Sequence, residues 1–405
     1  MKPILRAERM KPVHSDIRGP LFVEAMKRQK QGIDILKLNT GNPATFGFGL
    51  PDSIKNALME HIQDGVGYCD FKGMPQARQA ICDYETSKGI KGITSDDVFI
   101  GNGVSEVVSF ALTPLLNDGD EVLVPSPSYS LWGNSVYLED GKPVFYTCDE
   151  QANWYPDIQD IRSKITDKTK AIVIINPNNP TGALYPKEIL LEIIQIAREF
   201  GLLIFADEIY DRLVMDGKQH ISLASLTEDV PVITLNGLSK SHCLCGYRCG
   251  WMVISGPREL TEDYRQGIIQ LTSLRLCANT MAQIVIPAAL DDMETPASMV
   301  RPGGRIYEQR EATVRELEKI NGLSFVKNDA AFYVFPKLDV KKFNITNDKQ
   351  FAHDLLDATN ILLVPGSGFD WKDPDHFRIV MLPQADILSD AIRRMGTFLD
   401  GYKQK

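Results

Sequence analysis

The sequence predicts an α/β fold: a large domain with a central, mostly parallel sheet flanked by helices, joined to a smaller α/β domain. Three observations carry that expectation. From Gly65 onward, strand-length apolar runs alternate with segments of helical spacing, the rhythm of crossover connections. Those runs, such as Ala171 to Ile175 and Leu202 to Ala206, are apolar nearly throughout, as strands covered on both faces must be. Beyond about Pro302 the character changes to a long charged helix followed by short strands and helices, a second and smaller unit.

With 405 residues, 43 % of them hydrophobic, the chain has enough apolar surface for two cores. The expected division is 1–46 as an N-terminal arm and part of the small domain, 47–302 as the large domain and 303–405 as the small one. A net charge of −9, with both signs interspersed, speaks against nucleic acid or an acidic membrane as partner, because phosphate binding needs a basic face. The longest apolar runs are of strand length, and the first residues lack the apolar stretch of a signal peptide. A cytoplasmic protein is expected. Seven cysteines, an odd number scattered along a long chain, do not read as a disulfide framework. Cys243, Cys245 and Cys249 have no C-x2-C knuckle and only His242 nearby, so they read as small packing residues and no metal is expected.

Taken in order, residues 1–20 are irregular and a helix runs over 21–31. A strand at 35–38 leads into a tight loop around Gly41 and Pro43, then a flexible connector at 46–51. Asp52 is placed to cap a helix to about residue 64. Strands follow at 97–100, 121–124, 143–146, 171–175, 202–206, 232–235 and 251–254, each β-branched or apolar. Between them, helices are expected over 104–116, around 131, from 157, and over 186–200, where Pro186 suits a helix start. The smaller unit has a helix at 305–319, strands at 332–335, 361–364 and 376–380, and helices near 348–358 and 385–400.

Ligands of such sheets sit where loops leave the carboxyl ends of the strands, and those ends carry the chemistry here. The strand at 232–235 runs into Asn236-Gly-Leu-Ser-Lys240. Burial there disfavours the ammonium form, and a neutral amine forms a Schiff base with a carbonyl compound; a lysine that merely reaches water is the plain alternative. Gly101-Asn-Gly-Val-Ser105 joins a strand to a helix, and the helix start at Val104 and Ser105 suits one phosphate or a simple cap. Asn176-Pro-Asn-Asn-Pro-Thr-Gly182 is either a rigid turn or, through a cis X-Pro bond, a device that aims Asn179 inward. Asp207 at the next strand end suits a pyridinium nitrogen, and Tyr210 a phenolate oxygen. Arg248 offers a fork for the phosphate, and Tyr129 a ring to stack on a flat heterocycle. Pyridoxal phosphate has all of these handles.

These motifs, with Ser239-Lys240 through Gly246-Tyr-Arg248, resemble the class I/II pyridoxal-phosphate-dependent aminotransferases of fold type I, the aspartate aminotransferase superfamily. Asp16-Ile-Arg-Gly-Pro20, Gly41-Asn-Pro43 and Gly67-Tyr-Cys-Asp70 are similar to bacterial alanine (glutamate–pyruvate) aminotransferases. The resemblance covers essentially the whole chain. It implies Lys240 as covalent anchor and proton shuttle, Asp207 on the ring nitrogen, Tyr210 and Asn179 on the ring oxygen, and Tyr129 stacked. Val104, Ser105, Ser239 and Arg248 would hold the phosphate, with Tyr68 reaching the neighbouring subunit's cofactor in a homodimer. Arg378 and the Gly41 backbone would take the substrate carboxylate, and Arg18 or Arg275 a distal one. Gly237 stands where the family often has a hydroxyl, and the segment 241–245 departs from the alanine aminotransferase pattern. Other fold type I enzymes, a carbon–sulfur lyase or an aminocyclopropane-carboxylate-synthase-like cyclase, would use the same residues. An effector-binding regulator that keeps the fold is a further reading, which the intact lysine, aspartate and arginine set speaks against, and a nicotinamide dehydrogenase would need a third glycine where Glu106 stands.

Overall fold

A computed structural model describes residues 3–405. At its centre is an eight-stranded sheet. Its strands are β1 (Val98–Asn102), β2 (Glu121–Ser126), β3 (Lys142–Asp149), β4 (Tyr155–Pro156), β5 (Thr169–Ile175), β6 (Leu203–Asp207), β7 (Val232–Gly237) and β8 (Cys249–Ser255). They lie in the order β1-β8-β7-β6-β5-β2-β3-β4. β3, β2, β5, β6 and β7 pair in parallel. β8 runs against both β7 and β1, and β4 against β3. The carboxyl ends of β1, β5, β6 and β7 therefore share one edge with the start of β8, where Asn102 pairs with Cys249 and Gly237 with Gly250.

Alternate residues of each strand feed different cores, which is why the strands are apolar throughout. Ile172, Ile174 and Ile204 pack with Leu190, Ile193 and Ile194 of the helix α3 (Lys187–Phe200). Ala171, Val173 and Phe205 face the other way, onto Val107, Val108 and Ala111 of the helix α2 (Val104–Leu112) and Ile268 of α4 (Arg258–Arg275). Each such aliphatic side chain removed from water contributes about 1.5–3 kcal/mol. A helix not expected from the sequence, α1 (Pro75–Ser87), covers the β1–β8 end through Ala77 and Ile81.

A separate core gathers Leu355, Phe377, Ile379, Met381, Leu388 and Ile392, and Leu38 from the N-terminal segment joins it. There the strand Leu36–Lys37 pairs in parallel with Ile361–Leu362. Phe377–Val380 pairs antiparallel with Tyr333–Val334 and Val364–Pro365.

Several expectations need correction. Asp52 is the first helical residue and makes no cap; Pro51 holds the cap position. That helix ends at His61, and α2 ends at Leu112, each continuing as tighter turns. The connector at 46–51 is fastened: Arg305 donates to the carbonyls of Phe46 and Gly47 and lies 3.9 Å from the Phe48 ring centre. The small-unit strands are shorter than expected. Among the described residues no single helix is long and apolar enough to cross a membrane. All seven cysteines are free thiols.

Candidate active site

β7 ends at Gly237, and the chain turns at once into a single helical turn, Leu238–Ser241. A Cβ on Gly237 would stand 2.6 Å from the Cys249 carbonyl oxygen, so the close approach of β8 leaves no room for a hydroxyl-bearing side chain there. Lys240 Nζ donates to the Gly41 carbonyl at 2.9 Å and lies 3.9 Å from Cys245 Sγ. Its pKa is raised, contrary to expectation: burial lowers it, but Tyr333, Cys245 and Tyr129 together outweigh burial. The resting side chain is an ammonium, and it becomes a nucleophile only after giving up that proton.

Asp207, the last residue of β6, is buried beside it. Its Oδ2 accepts from Trp132 Nε1 at 3.0 Å and its Oδ1 from the Ile209 N–H at 3.3 Å. Burial pushes its pKa up to about 6, against the Trp132 hydrogen bond and the pull of Lys240. A carboxylate so placed gains most from a cationic N–H partner, which removes the cost of its charge.

On the β1 side, Gly103 (φ +84°) opens the start of α2, and a Cβ there would lie 2.3 Å from Arg248 Nη2. A Cβ on Gly250 would lie 2.4 Å from the Val104 nitrogen. The guanidinium of Arg248 thus lies across the glycine at the helix start, beside Ser105, which is exposed. A guanidinium, a helix N-terminus and a hydroxyl converging on a glycine floor suit one phosphate. Glu106 belongs to the frame of this turn: it accepts from the Asn102 backbone N–H at 2.7 Å.

Arg378 is 1 % exposed and faces no carboxylate. It donates from Nη1 to Asn179 Oδ1 at 2.9 Å and from Nη2 to the Asn39 carbonyl, while its Nε has no partner. The Tyr333 and Phe369 rings each centre 4.6 Å from its guanidinium carbon. Tyr333 also meets the Tyr210 hydroxyl at 2.8 Å and fills the space a Cβ on Gly41 would need, 2.2 Å away. A buried guanidinium without a counter-ion costs several kcal/mol, which an incoming carboxylate offsets. Burial lowers the Arg378 pKa, and Tyr333, Tyr210 and Tyr129 hold it up.

The structure brings Lys240, Asp207, Tyr210, Tyr129, Asn179, Arg378 and Gly41 together, with Arg248, Val104, Ser105 and Ser239 along the β1 side. The Asn176–Pro177 bond is cis. Arg275 is engaged elsewhere: it pairs with Glu106 at 2.6 Å and donates to the Phe71 and Ile100 carbonyls. Arg18 is exposed, closing a short turn whose Ile17 carbonyl accepts from Asn39 Nδ2 at 2.8 Å. Tyr68 is 83 % exposed, outside this chain's own site. Sequence reasoning missed Trp132, Asn39 and Tyr333. Trp132 lies one turn beyond Tyr129, a signal that helical phase carries; Tyr333 looked like an ordinary core residue of a strand.

A lysine, a buried carboxylate, and a guanidinium over a helix start, all at the carboxyl edge of this sheet, accompany a fold of the aspartate aminotransferase kind, fold type I. The sequence profile described as aminotransferase class I and II matches residues 33–392. The chain belongs to that family and is a transaminase. It is 50 % identical over 404 residues, 100 % of both chains, to the glutamate-pyruvate aminotransferase AlaA of Haemophilus influenzae. A crystal structure of an aminotransferase from Escherichia coli superposes with a TM-score of 0.98 at 47 % identity, covering 100 % of each chain. An aspartate aminotransferase from Thermotoga maritima gives a TM-score of 0.86 at 27 % identity, covering 98 % of this chain and 100 % of that one.

Proposed function

We propose that this transaminase moves the amino group between L-alanine and 2-oxoglutarate, and back between glutamate and pyruvate, with pyridoxal 5'-phosphate as cofactor. The AlaA relatives carry the glutamate–pyruvate pairing in their names. The observation that carries the reading is Arg378, a buried guanidinium with a free Nε and no carboxylate, in the same cleft as Lys240. The family's enzymes use pyridoxal phosphate, and the residues present fit it: the Gly103 cradle under Arg248, and a buried Asp207 that makes no salt bridge among the described residues. When bound, the cofactor supplies an aldehyde for the amino group and a ring that accepts electrons.

The chain's own residues do the rest. Lys240 would anchor the cofactor's aldehyde through Nζ, and the same amine, when free, would serve as the base that holds and moves the α-proton. Asp207 would hold the proton on the ring nitrogen, Tyr210 and Asn179 would serve the ring oxygen, and Tyr129 would support the ring. Val104, Ser105, Ser239 and Arg248 hold the phosphate. Arg378 grips the α-carboxylate in two-point fashion, assisted by the Gly41 backbone. Arg18, for which no ion pair is seen, is the remaining candidate for the distal carboxylate of glutamate. The protein works in the cytoplasm as a homodimer in which Tyr68 reaches the partner's phosphate, with 1–46 and 303–405 forming the small domain and 47–302 the large one.

The test is a spectral titration of the loaded enzyme with L-alanine and then pyruvate. Reversible cycling of the visible band is expected, with none in Lys240→Ala. Arg378→Ala should keep the band but need about a hundredfold more alanine, as losing a buried charged contact costs 2–5 kcal/mol. Release of ammonia and pyruvate from cystathionine, without cycling, would assign a lyase instead.

A further inference from the structure

Beneath the ends of β6 and β7 lies a buried charge cluster that touches none of the groups placed on cofactor or substrate. Lys88, just past the end of α1, sets its Nζ 2.6 Å from Glu85, 2.8 Å from Glu208 and 3.2 Å from Asp211. Each carboxylate holds a different part of the frame. Glu208 directly follows Asp207 and accepts from Ser222 Oγ at 2.9 Å and the Leu223 N–H at 3.0 Å. Asp211 accepts from Tyr84 at 2.5 Å and from Asn236 Nδ2 at 2.8 Å, on β7 four residues before Lys240. Glu85 accepts from Trp251 Nε1 at 3.2 Å, and Trp251 is the cross-strand partner of Asn236. One ammonium thus ties together the ends of β6, β7 and β8.

The charges do not balance. Three acids meet one base in a dry setting, where an unpaired carboxylate is costly. Burial pushes Glu85 up to about 7, with Lys88 opposing and Glu208 and Asp211 adding. The surplus reaches the site through Glu208, whose charge, after burial, helps hold Asp207 towards its acid form. The other basic groups facing the cluster bear on Asp211, whose pKa is lowered against burial by Lys88 first, then by His220 and Arg212. Arg212 is turned to the Ala289 and Leu290 carbonyls, and burial lowers both His220 and His242, the latter to about 4. Among the described residues, Lys88 is the cation in ion-pair contact with these three acids.

We propose that Lys88 is a positioning residue for amino-group transfer: it locks the strand ends carrying Asp207 and Lys240, and its charge keeps Asp207 ionised. The proposal rests on the roles given to those two residues above. It acts at a distance, through Glu208 and Asp211, so substrate grip by Arg378 lies outside its reach.

The test compares Lys88→Met, Lys88→Arg and the double variant Lys88→Met/Glu208→Gln. Two readouts are used: carboxyl carbon NMR of Asp207 in the chain without cofactor, assigned with Asp207→Asn, and kcat and KM of the loaded enzyme. In Lys88→Met, Asp207 should titrate about one unit higher, and kcat should fall about twofold at pH 7 and about fivefold at pH 6 as the ionised fraction drops. KM for the oxo acid should stay within about twofold, because no ground-state contact is lost. Lys88→Arg and the double variant should return both readouts close to wild type, which a packing role alone does not predict. If Lys88→Met does not fold, Glu208→Gln by itself must lower the Asp207 titration. An unmoved Asp207 in Lys88→Met or Glu208→Gln, or a double variant no better than the single, overturns the proposal. Full turnover by Asp207→Asn would instead overturn the role of Asp207, while the titration arm still reports on Lys88.

Discussion

The role proposed for Asp207 needs its charged form, yet its surroundings favour the acid, and that tension is measurable without the cofactor. Its pKa is raised from 3.8 to about 6, burial being the main cause. A raised folded-state value means that the stability it brings is complete below the unfolded value and is lost as pH rises through the folded one. Two units correspond to about 3 kcal/mol. Chemical denaturation of the unloaded chain should therefore show wild type weakening between about pH 4 and pH 7, and Asp207→Asn free of that loss. A flat wild-type profile would remove this account. The carboxylate itself was legible because it closes an apolar strand, where a charge demands a reason. Trp132 and Tyr333, which shape the same space, carry no such local mark. Their side chains are apolar enough to pass for core, and only tertiary packing aims an indole N–H at Asp207 and a phenol at Tyr210.

At the scale of elements, the strands and most helices were legible from period and burial, whereas fastening between distant segments was not. The N-terminal segment read as irregular is held by a clasp. His14 lies 3.0 Å from Asp370 and 3.5 Å from Asp16, and its backbone N–H donates to Asn134 Oδ1 at 3.1 Å. The hydrogen bond to Asp16, then that to Asp370, raise its pKa to about 9. For a raised histidine the contribution is complete below the ordinary value of 6.5 and disappears as pH rises through about 9. Allowing for screening of a partly exposed ring, about 1–2 kcal/mol is at stake. Limited proteolysis and hydrogen exchange should show residues before Pro20 loosening above about pH 9, and His14→Gln should show the same loosening at about pH 7. Equal protection in both proteins at both pH values would contradict the clasp. The sequence offered no sign of it, because Asn134 and Asp370, which fasten His14, come from segments more than a hundred residues away.

For the whole molecule, the exposed apolar residues beside the site are the main clue. Val66 (81 %), Tyr68 (83 %) and Leu274 (82 %) stand out in solvent, and Arg275 links the two segments through the Phe71 carbonyl. Such patches mark surfaces that another chain covers. If Tyr68 serves the partner's site, Tyr68→Ala and Lys240→Ala chains should each be weak alone, yet regain activity when unfolded and refolded together. A mixture no better than its parts would leave each site within one chain. The backward course of β8 has a consequence for how such an enzyme diversifies. Because the strand returns against β7, residues 238–249 stay at the ligand edge, and Lys240 and Arg248 come from one unbroken stretch. A one-residue insertion there would displace both residues at once. New substrate preferences have to be written elsewhere, in the separate segments that bring Gly41, Tyr333 and Arg378 to the opposite wall.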